Sequence, residues 1–472
     1  RTPQVRLDFM LDGRPMGSRT APITGTPLSI AASVNDPAAQ LELVTSHGVI
    51  VATGLGRLDA TRAATSSERY YFVRARRDGQ PIAYSSPVWV SARPPASVPT
   101  QGEWLAGDLH VHTCFSHDAY CGPSDDNTGP EELYALSGDV QERFTEAALR
   151  GLDYLAITDH NDVRSVEHPG FGAHGVIPIP GYEASLDGHA QMLGTRRVLT
   201  HGDGPTAISA MAAALRSAGG VFQINHPGAA GMEALESCAA ADLTALDWGY
   251  GTAVVPDTVE VWNIGHYLHP PLPVGTSNDD SERLWECFLT AGHRVGATGG
   301  SDSHWLATSA TQGVGNPTTW VLAGSRSATG VLDGLRAGRT SISMLPPAAG
   351  GAPLLLEADR DGDGVYEATI GDTVRPGTAM RVRSANGVMV GILRVRANGG
   401  TLVEATTASI GPGLRFRAPA TPGWVRATLL VVPALSGLDP LCRTFDGSPL
   451  ATSYCRNRLL VTALTSPIYV RR

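Results

Sequence analysis

Between residues 104 and 345, short apolar runs alternate with helical patterns, and most of the runs end in histidine, aspartate, glutamate or asparagine. The runs lie at 105–111, 154–158, 176–179, 221–224, 259–262, 295–298 and 319–322. Helical periodicity appears at 206–218, where Ile208, Met211, Ala212 and Leu215 share one face, and again at 280–291 and 328–337. Each of these helical patterns stops at glycine: Gly219, Gly292 and Gly338. About seven strands alternating with helices predict an α/β fold built as a distorted (β/α)7-type barrel, and a doubly wound sheet is the other architecture the pattern allows. In either, the carboxyl ends of the strands form one rim, so polar residues far apart in sequence converge there.

The histidines fall in the same region. Thirteen of 14 lie between His110 and His304, and only His47 lies outside. The flanks read differently. Residues 1–95 hold short β-type runs between turns and predict an all-β sandwich, followed by a linker rich in proline and small residues. Residues 346–472 return to β-type patterning and predict a second sandwich. A weak repeat, Ser85-Ser-Pro-Val-Trp-Val and Thr465-Ser-Pro-Ile-Tyr-Val, ends both flanks. The barrel is assigned to residues 104–345.

Composition narrows the chemistry. All 36 basic residues are arginine, which removes Schiff-base and P-loop lysine mechanisms. A net charge of −9 with no basic run argues against nucleic-acid binding, and no apolar run reaches membrane-spanning length, so the expected partner is a small-molecule substrate. The six cysteines contain no C-x-x-C pair and fit disulfides in an oxidising compartment, against the alternative of buried thiols. The chain begins at Arg1 without methionine, which is read as leader removal or trimming. Secretion or periplasmic export is the expectation.

At the strand ends stand His110 and His112, Asp159 and His160, Glu183, Asn225 and His226, Asn263, then Asp302 and His304. His110 and His112 are two apart on a strand, so both imidazoles point to one side and can reach one ion. Asp302 and His304 repeat the spacing. Mixed histidine and carboxylate donors suit zinc, manganese or iron better than magnesium or calcium.

Five segments, Asp108-Leu-His-Val-His-Thr, Ile157-Thr-Asp-His-Asn, Pro180-Gly-Tyr-Glu, Asn225-His-Pro and Gly300-Ser-Asp-Ser-His, are in order similar to the motifs of the PHP (polymerase and histidinol phosphatase) metallohydrolases. The resemblance covers roughly residues 104–310. Gly188-His189 and the run Val259-Glu-Val-Trp-Asn resemble the carbaryl-hydrolase-like branch (CehA/McbA), whose members often carry β-sandwich appendages. The resemblance implies a metal-dependent hydrolase with two or three divalent transition metals. His110, His112 and Asp302 would hold one ion, and Asp118 and His160 a second. Glu183 would bridge two ions, while His226 and His304 complete a second or third position. Where trinuclear relatives carry a further histidine, this chain reads Val-Glu-Val-Trp-Asn, so a third ion depends on His189 or His266.

Asp302 and His304 are also candidate catalytic groups. His189 is read as the acid that protonates a leaving group, with a bracing role weighed beside it. Arg164, Asn263 and His266 are the candidate substrate contacts; for Arg164 the alternative is a solvated arginine. Trp262 and Trp305 are weighed as pocket lining against core packing. The substrate is a phosphoester or a carboxyl ester, carbamate or amide, and a non-catalytic barrel bearing adhesion modules is the competing class. Asp359, Asp361 and Asp363 form the front of a calcium loop, but position 12 is Ile370, with Asp372 as a substitute; a calcium site and a plain turn both remain open. The expected disulfides are Cys442–Cys455, Cys114–Cys121 and, by elimination, Cys238–Cys287.

Overall fold

The computed structural model describes residues 5–20, 22, 27–46, 48–65, 68–90, 102–119, 138–228, 237–243, 246–263, 277–304, 306, 313–410, 413–431 and 460–471. The chain divides into two compact units, residues 1–100 and 101–472. In the first, two antiparallel-rich sheets face each other. One orders Arg14–Pro15, Leu7–Leu11, Pro27–Val34 and Arg57–Ala63; the other runs Arg19–Thr20, Val88–Val90, Tyr70–Arg77, Gln40–Thr45 and Ile50–Leu55. Alternation places Phe9, Leu11, Leu28 and Ile30 of one sheet against Leu41, Leu43, Tyr71 and Val73 of the other.

The second unit is mixed α/β. Glu103–Asp108, Tyr154–Ile157 and Ile177–Pro180 pair in parallel, as do Val221–Asn225, Thr258–Asn263 and Gly296–Gly300. All six strands are among those read from the sequence. So are the helices Gly204–Ser217, Ser277–Thr290 and Ala328–Arg336. Ile208, Met211, Ala212 and Leu215 are buried on one helical face, as the 3.6 period requires. Burying each of the larger three contributes roughly 1.5–3 kcal/mol.

The two parallel sets belong to different sheets, and closure into one continuous barrel ladder is not seen among the described residues. One departure from the expected alternation lies between residues 180 and 221. There the chain makes an antiparallel hairpin, Glu183–Leu186 with Gly188–Leu193, where simple strand–helix alternation was expected. Gly188 turns it at φ +98°, and a Cβ there would sit 2.7 Å from the Asp247 carbonyl oxygen, so glycine is required. Isolated parallel bridges, Val111 to Ser303 and His160 to Glu183, join the two sheets at the carboxyl rim. These bridges bring the polar strand ends together.

Residues beyond 346 continue the architecture. Thr340–Ser343 pairs with Leu460–Thr465, so strands from the C-terminal region extend the sheet that begins with Ile177–Pro180. Leu354–Asp359, Ala379–Ser384 and Leu414–Arg417 form a second layer over it around Leu356, Val382, Val395 and Val425. Trp424, Leu464 and Tyr469 pack into the same core as Val259, Val261 and Phe288. Cys238 and Cys287 form a disulfide, as expected, and Cys114 is also disulfide-bonded. The pairing partners expected for Cys114 and the pair Cys442–Cys455 lie outside the described residues. No helix among the described residues is long and apolar enough to cross a membrane.

Candidate metal centre

His110 and His112 leave the Glu103–Asp108 strand into the rim, both fully buried. Their Nε2 atoms stand 3.1 Å apart. Glu183 Oε2 lies 3.1 Å from His110 Nε2 and 3.3 Å from His112 Nε2. Asp302 Oδ1 is 3.2 Å from each. The two rings and their contacts to the two carboxylates, all at 3.1–3.3 Å, match the edges of a coordination shell with bonds of about 2.0 Å, the length for zinc bound by nitrogen and oxygen.

The far side of each ring fixes which nitrogen faces the centre. Glu260 Oε1 accepts from His110 Nδ1 at 3.0 Å. Ser116 donates its hydroxyl to Asp118 Oδ1, so its oxygen accepts from His112 Nδ1 at 2.9 Å. The Asp302 carbonyl, which can only accept, takes the proton of His304 Nδ1 at 2.9 Å. With Nδ1 carrying hydrogen in all three rings, the Nε2 lone pairs of His110, His112 and His304 turn toward the carboxylates. Lone pairs that close demand a cation between them: a proton when metal is absent, a metal ion when it binds. The donor set therefore fits a transition metal.

Glu183 is shared. Its Oε2 also lies 3.5 Å from His160 Nε2. Its Oε1 is 3.3 Å from both His189 Nδ1 and His226 Nε2 and accepts from Asn225 Nδ2 at 2.7 Å. Asp118 Oδ2 is 3.2 Å from His160 Nε2 and 2.9 Å from His304 Nε2. Four overlapping donor groups result: His110, His112, Glu183 and Asp302; His112, Asp118, His160 and His304; His110, His226 and Glu260; and His160, Glu183 and His189. All eight metal-ligand candidates converge: His110, His112, Asp118, His160, Glu183, His226, Asp302 and His304.

The electrostatics follow from this crowding. Burial alone would push the Glu183 and Asp302 carboxyls up, but the facing histidines, His110 foremost, hold both well below the usual range. Burial would push His110 down, and the Asp302, Glu183 and Glu260 carboxylates raise it well above its ordinary value instead. His226 is lifted in the same way, chiefly by Glu183, to about 9. Asp118 is lowered against its burial by His160 and His304. His226 at φ +23° and Asp302 at φ +50° occupy left-handed backbone, a strain that concentrates at sites where a side chain must be aimed.

Other sequence candidates take supporting positions. Asp159 accepts from Thr113 N at 2.6 Å and from its hydroxyl. Asn263 is fully buried, and its amide donates to Asp302 Oδ2 at 3.1 Å and Glu260 Oε2 at 3.3 Å, so it braces carboxylates. Arg164 is 59% exposed, pairs with Asp162 Oδ2 at 2.7 Å and lies over the Phe115 ring. Trp262 is buried in the core. His266 and Trp305 lie outside the described residues.

Four contributors, Glu260, Gly300, Arg143 and Asp108, were given no role by sequence reasoning. Glu260 sits in the fully buried strand Thr258–Asn263, and a lone carboxylate among valines was the available signal of a buried partner. A Cβ at Gly300 would collide with Glu260 Oε1 and His110 Cβ, so glycine permits their approach. Arg143, fully buried, donates from Nε to the His112 carbonyl at 3.0 Å and from Nη1 to Ser303 Oγ at 3.2 Å, tying the two ligand loops together. Asp108 accepts from the backbone of His110, Ser301 and Gly315, and burial raises its carboxyl to about 6.

In the C-terminal loop, Asp359 and Asp361 come together with Glu367 rather than Asp363. Asp363 accepts from Val365 N at 2.7 Å. Asp372 is taken by Arg339 and Arg360 at 3.3 and 3.1 Å.

No protein-family model matches the sequence, and no curated protein matches it. Among solved structures, a two-domain Bacteroides vulgatus protein containing a predicted PHP-like metal-dependent phosphoesterase aligns over 77% of this chain and 95% of its own, at 14% identity and a TM-score of 0.34. A Bifidobacterium adolescentis protein, provisionally assigned as a metal-dependent phosphoesterase, aligns over 44% of this chain and 90% of its own, at 17% identity and a TM-score of 0.26. A Bacteroides uniformis beta-glucuronidase aligns over 98% of this chain and 60% of its own, at 10% identity and a TM-score of 0.16. At these levels the reading of function rests on the site itself.

Proposed function

We propose that the chain is a metal-dependent hydrolase of the PHP type, in the carbaryl-hydrolase-like branch, acting on a small phosphoester, carboxyl ester, carbamate or amide. The observation that carries this reading is the convergence of Glu183 and Asp302 on the His110 and His112 Nε2 atoms at 3.1–3.3 Å, with His160, His189, His226, His304 and Asp118 around them. Divalent transition ions held by these donors would supply Lewis acidity and bring the pKa of water toward neutrality.

The chain's own residues set the rest. Glu260, Ser116 and the Asp302 carbonyl fix the ring tautomers; Asn225 and Asn263 orient the carboxylates. His189, half-exposed with Nδ1 against Glu183, is read as a ligand first, with leaving-group protonation the alternative role. Asp302 and His304 keep their dual assignment.

Substrate charge is the finer question. A phosphomonoester dianion needs positive charge beyond the metals. Arg164 is the rim's candidate, and its guanidinium is already neutralised by Asp162. This favours the less charged substrates. The disulfide at Cys238–Cys287 and the bonded Cys114 support the proposal of an exported protein. A non-catalytic barrel is disfavoured because no position of the inner ligand set is lost.

The test is a chromogenic panel of phosphate mono-, di- and triesters, carboxyl esters and carbamates, run on wild type, His110→Ala and Arg164→Ala. Hydrolysis of a neutral ester should vanish in His110→Ala and stay within a few-fold in Arg164→Ala. A dominant phosphomonoesterase activity lost selectively in Arg164→Ala, by some 30- to 1000-fold, would overturn the preference for less charged substrates. Activity unchanged in His110→Ala would overturn the hydrolase site.

A further inference from the structure

The N-terminal sandwich presents an aromatic strip that the metal centre does not use. Along Tyr70–Arg77 the odd positions Tyr71, Val73 and Ala75 enter the core, which turns Tyr70, Phe72, Arg74 and Arg76 outward. Trp89 pairs across from Tyr70 and Tyr84 across from Arg74, so both join the same outer face. Trp89 and Tyr70 meet edge to face with centroids 5.1 Å apart. Tyr70 to Phe72 is 6.5 Å at 38°, and Phe72 to Tyr84 is 6.4 Å at 32°. The last three rings therefore lie side by side as a gently twisted strip. Tyr84 is 59% exposed and Trp89 41% exposed, more aromatic surface in one place than a sheet's solvent face ordinarily keeps.

Charge narrows the occupant. Residues 1–100 carry eleven arginines against seven carboxylates, a net +4 within a chain of net −9. Arg19 stands over Trp89, 5.9 Å from its ring centroid, and no carboxylate among the described residues pairs with it. A segment of this sign favours an anionic partner over a cationic one. Arg74 is neutralised by Glu42 at 2.5 Å, and Arg76 donates to the Gly79 carbonyl. Positive charge along the strip is thus sparse. A nucleic acid, whose affinity is dominated by dense phosphate contacts, finds too few partners here. A polymer of flat rings with apolar C–H faces and spaced carboxylates fits both features: its rings lie on the aromatic strip, and a carboxylate reaches the Arg19 fork.

We propose that the Trp89–Tyr70–Phe72–Tyr84 face of the N-terminal sandwich is a binding site for an acidic, uronate-bearing polysaccharide. The site is independent of the metal centre, so its test does not depend on hydrolysis.

The experiment is affinity electrophoresis and titration calorimetry of the full chain with polygalacturonate at low salt, with a neutral cello-oligosaccharide and oligo(dT) as parallel probes. Wild type should bind polygalacturonate most tightly. Trp89→Ala and Tyr84→Ala, both at exposed positions, should each weaken binding by about tenfold with unchanged circular dichroism. Arg19→Ala should weaken it about threefold and flatten its salt dependence, while His110→Ala leaves it unchanged. Absence of polygalacturonate binding by wild type would overturn the proposal. So would binding unaffected by both aromatic variants, tighter binding of oligo(dT), or a Trp89-dependent dimer in sedimentation.

Discussion

Glu260 shows how one side chain outside the first ring of donors can set the behaviour of the centre. Its two oxygens take His110 Nδ1 and the His226 backbone N–H, and Asn263 closes the ring. Glu260→Gln keeps an acceptor while removing the charge that favours a proton on Nδ1. We expect the fold to survive and metal affinity to fall about 10- to 100-fold, measured by competition with a chromogenic chelator. The raised histidines give a second expectation. In metal-free protein His226 titrates near 9 and His110 lies well above its usual value, so both rings are cationic at pH 7. Metal binds the neutral ring, so binding must release protons, and apparent affinity should climb as pH rises from 7 toward 9. The same shift stabilises the metal-free fold fully below the unfolded histidine value of about 6.5, a contribution lost as pH rises through about 9. Calorimetry in buffers of differing ionisation enthalpy reads the proton count directly; no proton release at pH 7 would contradict the assignment. The candidate donors stood out because histidine pairs and carboxylates ended predicted strands, and the structure brings them together. Glu260 and Arg143 did not, since a buried polar residue declares its role only through the partner it meets.

At the scale of elements, the helix Ser277–Thr290 links the metal rim to the C-terminal region. Asn278 holds the backbone of Asn263 at both its N–H and carbonyl, and Cys287 ties the helix to Cys238. On the same helix, Glu282 and Glu286 close on the fully buried Arg426, and Arg396 joins Glu286 at 3.0 Å. Arg426→Ala would leave Glu282 without its ion pair and Glu286 with Arg396 alone, beside a cavity. It should destabilise by about 3–5 kcal/mol, read by denaturant titration, and activity should fall as the brace on Asn263 loosens. A loss under ~1 kcal/mol would mean the network is solvated and inert. The sequence was informative about such helices where period and glycine stops agreed. The helix Val140–Leu149 was missed although Asp139 and Glu142 form a capping box before Phe144 and Ala147. The hairpin Glu183–Leu193 was missed because it carries the site's polar residues, which blur strand alternation.

At the scale of the whole molecule, the candidate donors gather where two sheets meet at their carboxyl rim without forming one ladder. Pattern alone set residues 346–472 apart from the middle, whereas the structure holds both in one compact unit. Pattern did not reveal that Leu460–Thr465 returns to pair with Thr340–Ser343, because a contact between distant strands leaves no local periodic trace. That return places Trp424 and Tyr469 in the core behind the site and makes the C-terminal region part of its support. The account stands or falls on whether this frame concentrates metal. Elemental analysis of purified wild type and His110→Ala, after dialysis against metal-free buffer, tests it most directly. The account predicts about two to three equivalents of zinc, manganese or iron in wild type and at least one fewer in the variant. Less than one equivalent in wild type, or equal content in both proteins, would contradict it.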